Sequence, residues 1–145
     1  MIQRILLALD DSPDSLAAAR LAVELAGRLG ARVRAVHVSA DHVLDAALEA
    51  VGGTPGVAGR RSASDVAILA RVSAMAGAAG VSIETVLLTG GVGPAVLDAV
   101  RSWEADLVIL GKSARSATGE PYVGTQTRHI LEFSQRPVLV VPPVR

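Results

Sequence analysis

Three features of this chain have residue types that could do chemistry. The first is a pair of glycines thirteen positions apart. Gly111-Lys112-Ser113 follows the apolar run Leu107-Val108-Ile109-Leu110 directly, and Gly124-Thr125-Gln126 opens a helix. A loop that leaves a strand and ends at a helix N-terminus gathers backbone amides at a positive helix end, a geometry suited to phosphate. Gly111 can take backbone angles closed to other residues, Gly124 permits close approach to the main chain, and Thr125 adds a hydroxyl donor. Lys112, Arg115 and Arg128 bring positive charge to this loop against the single acid Glu120. The spacing alone fits a blander role equally well, in which Gly111 turns the chain and Gly124 starts a helix.

The second feature is Asp10, at the end of the apolar run Ile5 to Leu9. A carboxylate there can accept hydrogen bonds from an adenine or a ribose, as acidic residues do in dinucleotide folds. Asp10 and Asp11 also stand where they can cap the following helix, and both roles can coexist. The third feature is the histidines. His37 lies within a strand, His42 in the loop after it and His129 on the last helix, with no spacing that suits metal ligands. For His129 a surface role is favoured over phosphate binding. Gly111-Lys112-Ser113 resembles the end of a phosphate-binding Walker loop, but Asp106 stands where its first glycine belongs, and that reading is rejected. There is no Gly-x-Ser-x-Gly elbow and no cysteine, so neither a hydrolase triad nor a thiol nucleophile has an anchor.

The elements that must position these residues follow from the pattern of apolar runs and stop signals. Ile5–Leu9 reads as a strand buried on both faces. Ser12 is a competent N-cap for the next helix, Pro13 fits its first position, and Asp14 complements its dipole. That helix should run to about Leu29 and stop at Gly30. Arg20, Glu24 and Arg28 form its polar stripe, and Leu16, Ala19, Val23 and Ala26 its apolar face. Val33 to Val38 is a second strand. From Asp41 to Val51 a short helix is conceivable, but Gly52, Gly53, Pro55, Gly56 and Gly59 predict a mobile segment through residue 61. A second long helix spans about Ser64 to Ala79, Val81 to Leu88 is the third strand, and a helix with Pro94 in its first turn runs to about Glu104. Strands thus alternate with helices, which implies an α/β fold with a parallel sheet covered on both faces. Any ligand should then sit at the carboxyl ends of the strands, where Asp10, Val38, Thr89 and Gly111 fall.

At 145 residues one domain, 1–145, is expected. Half the residues are apolar, yet Trp103, Tyr122 and Phe133 are the only aromatics, so Ala, Val and Leu must fill the core. A formal net charge of zero argues against a nucleic-acid footprint. No segment has the length of a membrane span, and the apolar N-terminus stops at an acidic pair too soon for a signal peptide. A cytoplasmic protein is the expectation.

Taken together, these pieces resemble the universal stress protein family over essentially the whole chain. The resemblance is carried by Leu9-Asp10-Asp11-Ser12-Pro13-Asp14-Ser15, by Val36-His37-Val38, by Leu110-Gly111-Lys112-Ser113, by Val123 to Leu131, and by Pro137-Val138-Leu139-Val140-Val141. It implies a Rossmann-like five-stranded parallel sheet of order 3-2-1-4-5, and a homodimer that pairs through the last strand, Val138 to Val141. It also implies binding of ATP or another adenine nucleotide, possibly with Mg. Asp10 would then meet the adenosine end and Val38 the adenine, with Gly111, Gly124, Thr125 and Gln126 around ribose and phosphates. Ala114 stands where the family's nucleotide-binding pattern has its second glycine. A methyl there costs roughly 1–2 kcal/mol if the backbone requires positive φ and little otherwise. The expected output is binding and not enzymatic turnover, with slow ATP hydrolysis left open. Two alternatives stand beside this reading: a dimerising interaction protein with a degenerate pocket and no nucleotide, and, least favoured, an adenylyl-transferring enzyme on a similar fold.

Overall fold

Apolar runs of four to eight residues become the strands of one parallel sheet. In the computed structural model, which describes residues 1–10, 12–39, 55–112, 114–115, 118 and 121–143, the elements alternate along the chain. They are β1 (Arg4–Leu9), α1 (Pro13–Leu29), β2 (Arg32–Ser39), α2 (Pro55–Ala78), β3 (Ile83–Thr89) and α3 (Val92–Trp103). Then come β4 (Leu107–Gly111), β5 (Ala114–Arg115), β6 (Pro121–Tyr122), α4 (Thr125–Phe133) and β7 (Val138–Val141). The main sheet has the order β3-β2-β1-β4-β7, and all its pairings are parallel. Counted within that sheet, this is the 3-2-1-4-5 order expected above. Ile5 stands beside Val33 on one side and Leu107 on the other, so the central strands start level.

Side chains alternate across the sheet and fill two separate layers. Ile5, Leu7, Val33, Ala35 and Ile109 pack with α1 and α2, and Leu6, Val36, Val108 and Leu110 pack with α3 and α4. On α1 the buried apolar positions are Ala17, Ala18, Ala19, Ala22, Val23 and Ala26, mostly small residues that let the helix lie close to β1 and β4. Arg20, Glu24 and Arg28 are exposed as the stripe requires, and Glu24 pairs with Arg28 at 3.0 Å. Gly30 closes α1 in the left-handed region (φ 67°), donating its N–H to the carbonyl of Ala26. Each fully buried Leu or Ile contributes about 1.5–3 kcal/mol, and these aliphatic residues carry the core in place of aromatics.

One expectation needs correction. The helix placed at about Ser64 already begins at Pro55, which suits a first turn; the sheet contacts of Leu69, Val72 and Ala76 further along α2 offset the roughly 1 kcal/mol cost of each early glycine. Between β4 and α4, β5 and β6 form a short antiparallel pair, with Ala114 opposite Tyr122 and Arg115 opposite Pro121. The short helix and mobile segment expected from Asp41 to Thr54, the capping role of Asp11, and His42 lie outside the described residues.

At the amino end of the sheet, Asp106 joins two strands remote in sequence. Its Oδ2 accepts the N–H groups of Gln3 (2.8 Å) and Arg4 (2.9 Å). Those two bonds hold its carboxyl below the usual carboxylate range, with Arg136 and Arg4 assisting.

Candidate functional site

The carboxyl ends of β1, β2 and β4 converge on a cavity of about 130 Å³. The strands contribute Ala8, Leu9, Asp10, Val38, Leu110 and Gly111; α3 contributes Val92 and Val96, and α4 contributes Gln126, Thr127 and Ile130. It therefore lies where the winding reverses on either side of β1, the place where open α/β sheets take ligands. Most of its lining is aliphatic. Its polar groups are Asp10, Gln126 and Thr127, and Thr127 is fully buried.

Asp10 is half-buried, and its two carboxylate oxygens differ. Oδ1 accepts the Ser12 N–H (2.8 Å), the Ser12 hydroxyl and the Ser15 hydroxyl (2.8 Å), while the Ser15 hydroxyl oxygen accepts the N–H of Asp10 (2.7 Å). Oδ2 has no hydrogen-bond partner among the described residues. The Asp10–Ser12 bond is an Asx-turn, in which the side chain closes the turn into α1. Ser12 occupies the expected N-cap position, but its hydroxyl accepts no helix N–H; it donates to Asp10, and the Ser15 N–H goes to the backbone carbonyl of Ser12 (3.1 Å). Asp10 thus both shapes the entry to α1 and lines the cavity.

Gly111 has a packing reason. A Cβ on Gly111 would stand 2.7 Å from the carbonyl oxygen of Asp14 and 2.8 Å from its carbonyl carbon, so α1 crosses the end of β4 over this residue. Gly93 works the same way between α3 and α4. A Cβ there would lie 2.4 Å from the ring of His129. The Gly93 N–H, one of the first-turn donors without a partner inside α3, goes to Oε1 of Gln126 at 3.0 Å. Gln126 therefore caps α3 from the neighbouring helix, and this bond assigns its amide nitrogen as the remaining donor.

Of the residues singled out in the sequence, Asp10, Val38, Gly111 and Gln126 meet around the cavity. Gly124 and Thr125 do not line it. They begin α4, where Gly124 is an N-cap that offers no side-chain bond and Thr125 is exposed. Among the described residues no N-cap side chain bonds the amides of this first turn, which lie at a positive helix end. Ala114 lies in β5 with a strand partner, and the only non-glycine residue of positive φ among those described is Glu104. The backbone penalty weighed for Ala114 therefore does not arise. Lys112 is half-buried just past β4, and Arg128 is exposed on α4. His129 meets Phe133 in a tilted arrangement, ring centroids 4.8 Å apart, and packs on Gly93 rather than on a phosphate loop. Among the described residues no group of three or more His, Asp or Glu could hold a metal ion.

Sequence reasoning missed Val92, Val96, Thr127 and Ile130, which form the helical side of the cavity. A usable signal was the Gly90-Gly91-Val92-Gly93-Pro94 stretch at the end of β3, which starts a second helix over the same strand ends.

Comparisons with known proteins place this geometry among relatives. The family model described as the universal stress protein family matches residues 1–142. No curated protein matches the sequence. Among solved structures, the chain is similar to universal stress protein UspA from Lactobacillus plantarum, at 22% identity and a TM-score of 0.73 over 97% of each chain. It is also similar to a universal stress protein in complex with cAMP, at 21% identity and a TM-score of 0.72, covering 99% of this chain and 98% of that one. A third similar structure is the universal stress protein from Archaeoglobus fulgidus in complex with dAMP. There the identity is 17% and the TM-score 0.69, over 97% of this chain and 98% of the other. At these identities the likeness shows a shared fold.

Proposed function

The chain belongs to the universal stress protein family, and from that premise we propose that it is a regulatory module binding ATP or another adenine nucleotide as a homodimer. The observation that carries this reading is the cavity itself, an aliphatic slot at three strand ends with Asp10 at it and the uncapped first turn of α4 beginning just beyond. Two similar structures are complexes with cAMP and dAMP, ligands that share adenine. A cavity of this size is close to the roughly 150 Å³ that accepts a benzene ring, so part of a base fits within it and the rest of a nucleotide lies outside. In this reading Asp10 and Val38 meet the adenosine end, while Gly111, Ala114, Gly124, Thr125 and Gln126 surround ribose and phosphates. Mg would arrive on the phosphates, which supply the oxygen ligands it favours. The homodimer reading rests on β7, an edge strand whose residues Val138, Leu139 and Val140 are half-buried and uncharged. A two-fold axis beside it would pair two copies and cover that edge. Binding rather than turnover is the output, and the cytoplasm the place of work.

Isothermal titration with ATP and magnesium tests this, with saturable heat expected. Absence of heat at high protein concentration overturns it. A second reading has one observation in its favour, since the cavity is smaller than the roughly 300 Å³ at which ligand pockets usually begin. In that reading the protein dimerises and the slot stays closed to nucleotide. Ala114→Gly separates the two. With Ala114 in an extended strand, the substitution should change ATP affinity less than about threefold, whereas binding by the variant alone would favour the closed slot.

A further inference from the structure

A buried polar pair lies directly behind the cavity, and the nucleotide reading makes no use of it. His37 and Asp65 are only 5% and 7% exposed. Nδ1 of His37 lies 2.9 Å from the carbonyl oxygen of Leu9, the last residue of β1. Nε2 lies 2.6 Å from Oδ1 of Asp65, which α2 supplies. A carbonyl oxygen can only accept, so Nδ1 carries a hydrogen, and a second proton lies on the contact between Nε2 and the carboxylate. Burying two such groups is costly unless they are paired, and an apolar pair of similar size usually serves stability as well. Their location gives them a use that stability does not. Leu9 precedes Asp10, Val38 follows His37, and all but the histidine line the cavity. His37 stands in register with Leu9 across the β1–β2 pairing.

We infer that His37, its ring held by Asp65, is a positioning residue for the ligand site: by donating to the Leu9 carbonyl it fixes where β1 ends and hence where the carboxylate of Asp10 stands. The orientation runs from α2 through the imidazole to β1, and from there through the Asx-turn to the start of α1. Asp10 has three local donors on Oδ1, but all come from Ser12 and Ser15, which move with the same turn. The bond from His37 anchors that turn to the neighbouring strand. The consequence for ligand affinity rests on the nucleotide reading above; the placement of Asp10 does not.

The test compares Asp65→Ala, His37→Gln and Asp65→Asn in the full chain. Asp65→Ala takes the carboxylate away from Nε2. His37→Gln carries an amide nitrogen near the position of Nε2, so it keeps the Asp65 partner and loses the donor to Leu9. Asp65→Asn can donate to Nε2 of a neutral ring and keeps the arrangement. The ligand-free readout is amide exchange of Ser12, whose N–H donates to Asp10, measured against Val72 in the core. Relative to Val72, Ser12 should exchange about tenfold faster in Asp65→Ala and His37→Gln, the loss expected for one hydrogen bond, and within about twofold of the parent in Asp65→Asn. ATP affinity should follow the same order. Unchanged exchange at Ser12 in the first two variants, or a rise equal to that at Val72, overturns the inference, since the pair would then act only on global stability. If the parent protein binds no ATP, the nucleotide reading falls while the exchange comparison still decides this one.

Discussion

The two ends of the sheet each carry an aspartate that accepts bonds from the chain, and they use it differently. At the amino end, Asp106 takes the N–H groups of Gln3 and Arg4 across more than a hundred residues of sequence and ties β4 to β1. Charges close the surface around it. Arg4 lies 3.6 Å from Glu104, and Arg34 pairs with Glu84 while its guanidinium covers Trp103 at 4.7 Å. At the carboxyl end, Asp10 takes donors from within five residues, all on one oxygen, and the strand ends around it leave a cavity. The first arrangement joins distant chain segments and is complete without a ligand. The second orders only its own turn, and its other carboxylate oxygen has no partner among the described residues.

The largest disturbance to this contrast would come from closing the carboxyl end from within. Gly111→Val drives side-chain atoms into the backbone of Asp14, and the expected loss is about 3 kcal/mol in urea unfolding, near the upper range for overpacking. A loss below about 1 kcal/mol would mean that α1 yields easily and that the packing reason for Gly111 is weak. Next in size is the amino end. Asp106→Asn removes a charged acceptor from two amides and should cost about 1–2 kcal/mol at neutral pH. The sign of its pH dependence follows from the direction of the shift. The folded carboxyl titrates below its ordinary value of 3.8, so its contribution is fully present above that value. It is lost as pH falls through the lower folded value, and the gap between parent and variant should narrow there. A gap of constant size down to strongly acidic pH would show that the carboxylate charge is not what ties the strands. The smallest effect belongs to Glu104, the C-cap of α3, at φ 55° in the left-handed region. Glu104→Gly relieves that conformation but loses the pair with Arg4 and loosens the unfolded chain, so a net gain of about 0.5 kcal/mol is expected in thermal unfolding. A net loss would assign the Arg4 pair more weight than exposed ion pairs usually carry.

The alternation of strands and helices was legible because its signals are local. The apolar run Ile5 to Leu9, the stop at Gly30 and the cap position Gly124 each lie within a few residues of what they control, and through the handedness of crossovers they imply a parallel sheet covered on both faces, whereas the strand order is implied only by the family resemblance. The start of α2 was hidden by glycines whose local preference is overridden by packing further along the helix. Half of the cavity was legible for a related reason, since Asp10, Val38 and Gly111 mark strand ends. The other half depends on how α3 and α4 meet, and the bond from Gly93 to Gln126 spans 33 residues with no spacing rule to reveal it. The same holds for His37 and Asp65, 28 residues apart, and for the tie between Asp106 and Arg4. Gly111 shows the limit most clearly. Its residue type signalled a special requirement, but only the position of Asp14 tells that the requirement is first one of space.

Trp103 is the sole indole of the chain and the last residue of α3, about 16 Å along the helix from Val92 at the cavity. Its emission should therefore follow the loosening of the Arg34 and Glu84 cluster and remain nearly silent when the opposite end fills. The molecule thus carries a built-in optical gauge of folding, and a compound added to test the cavity at Asp10 is better followed through its own signal or through heat.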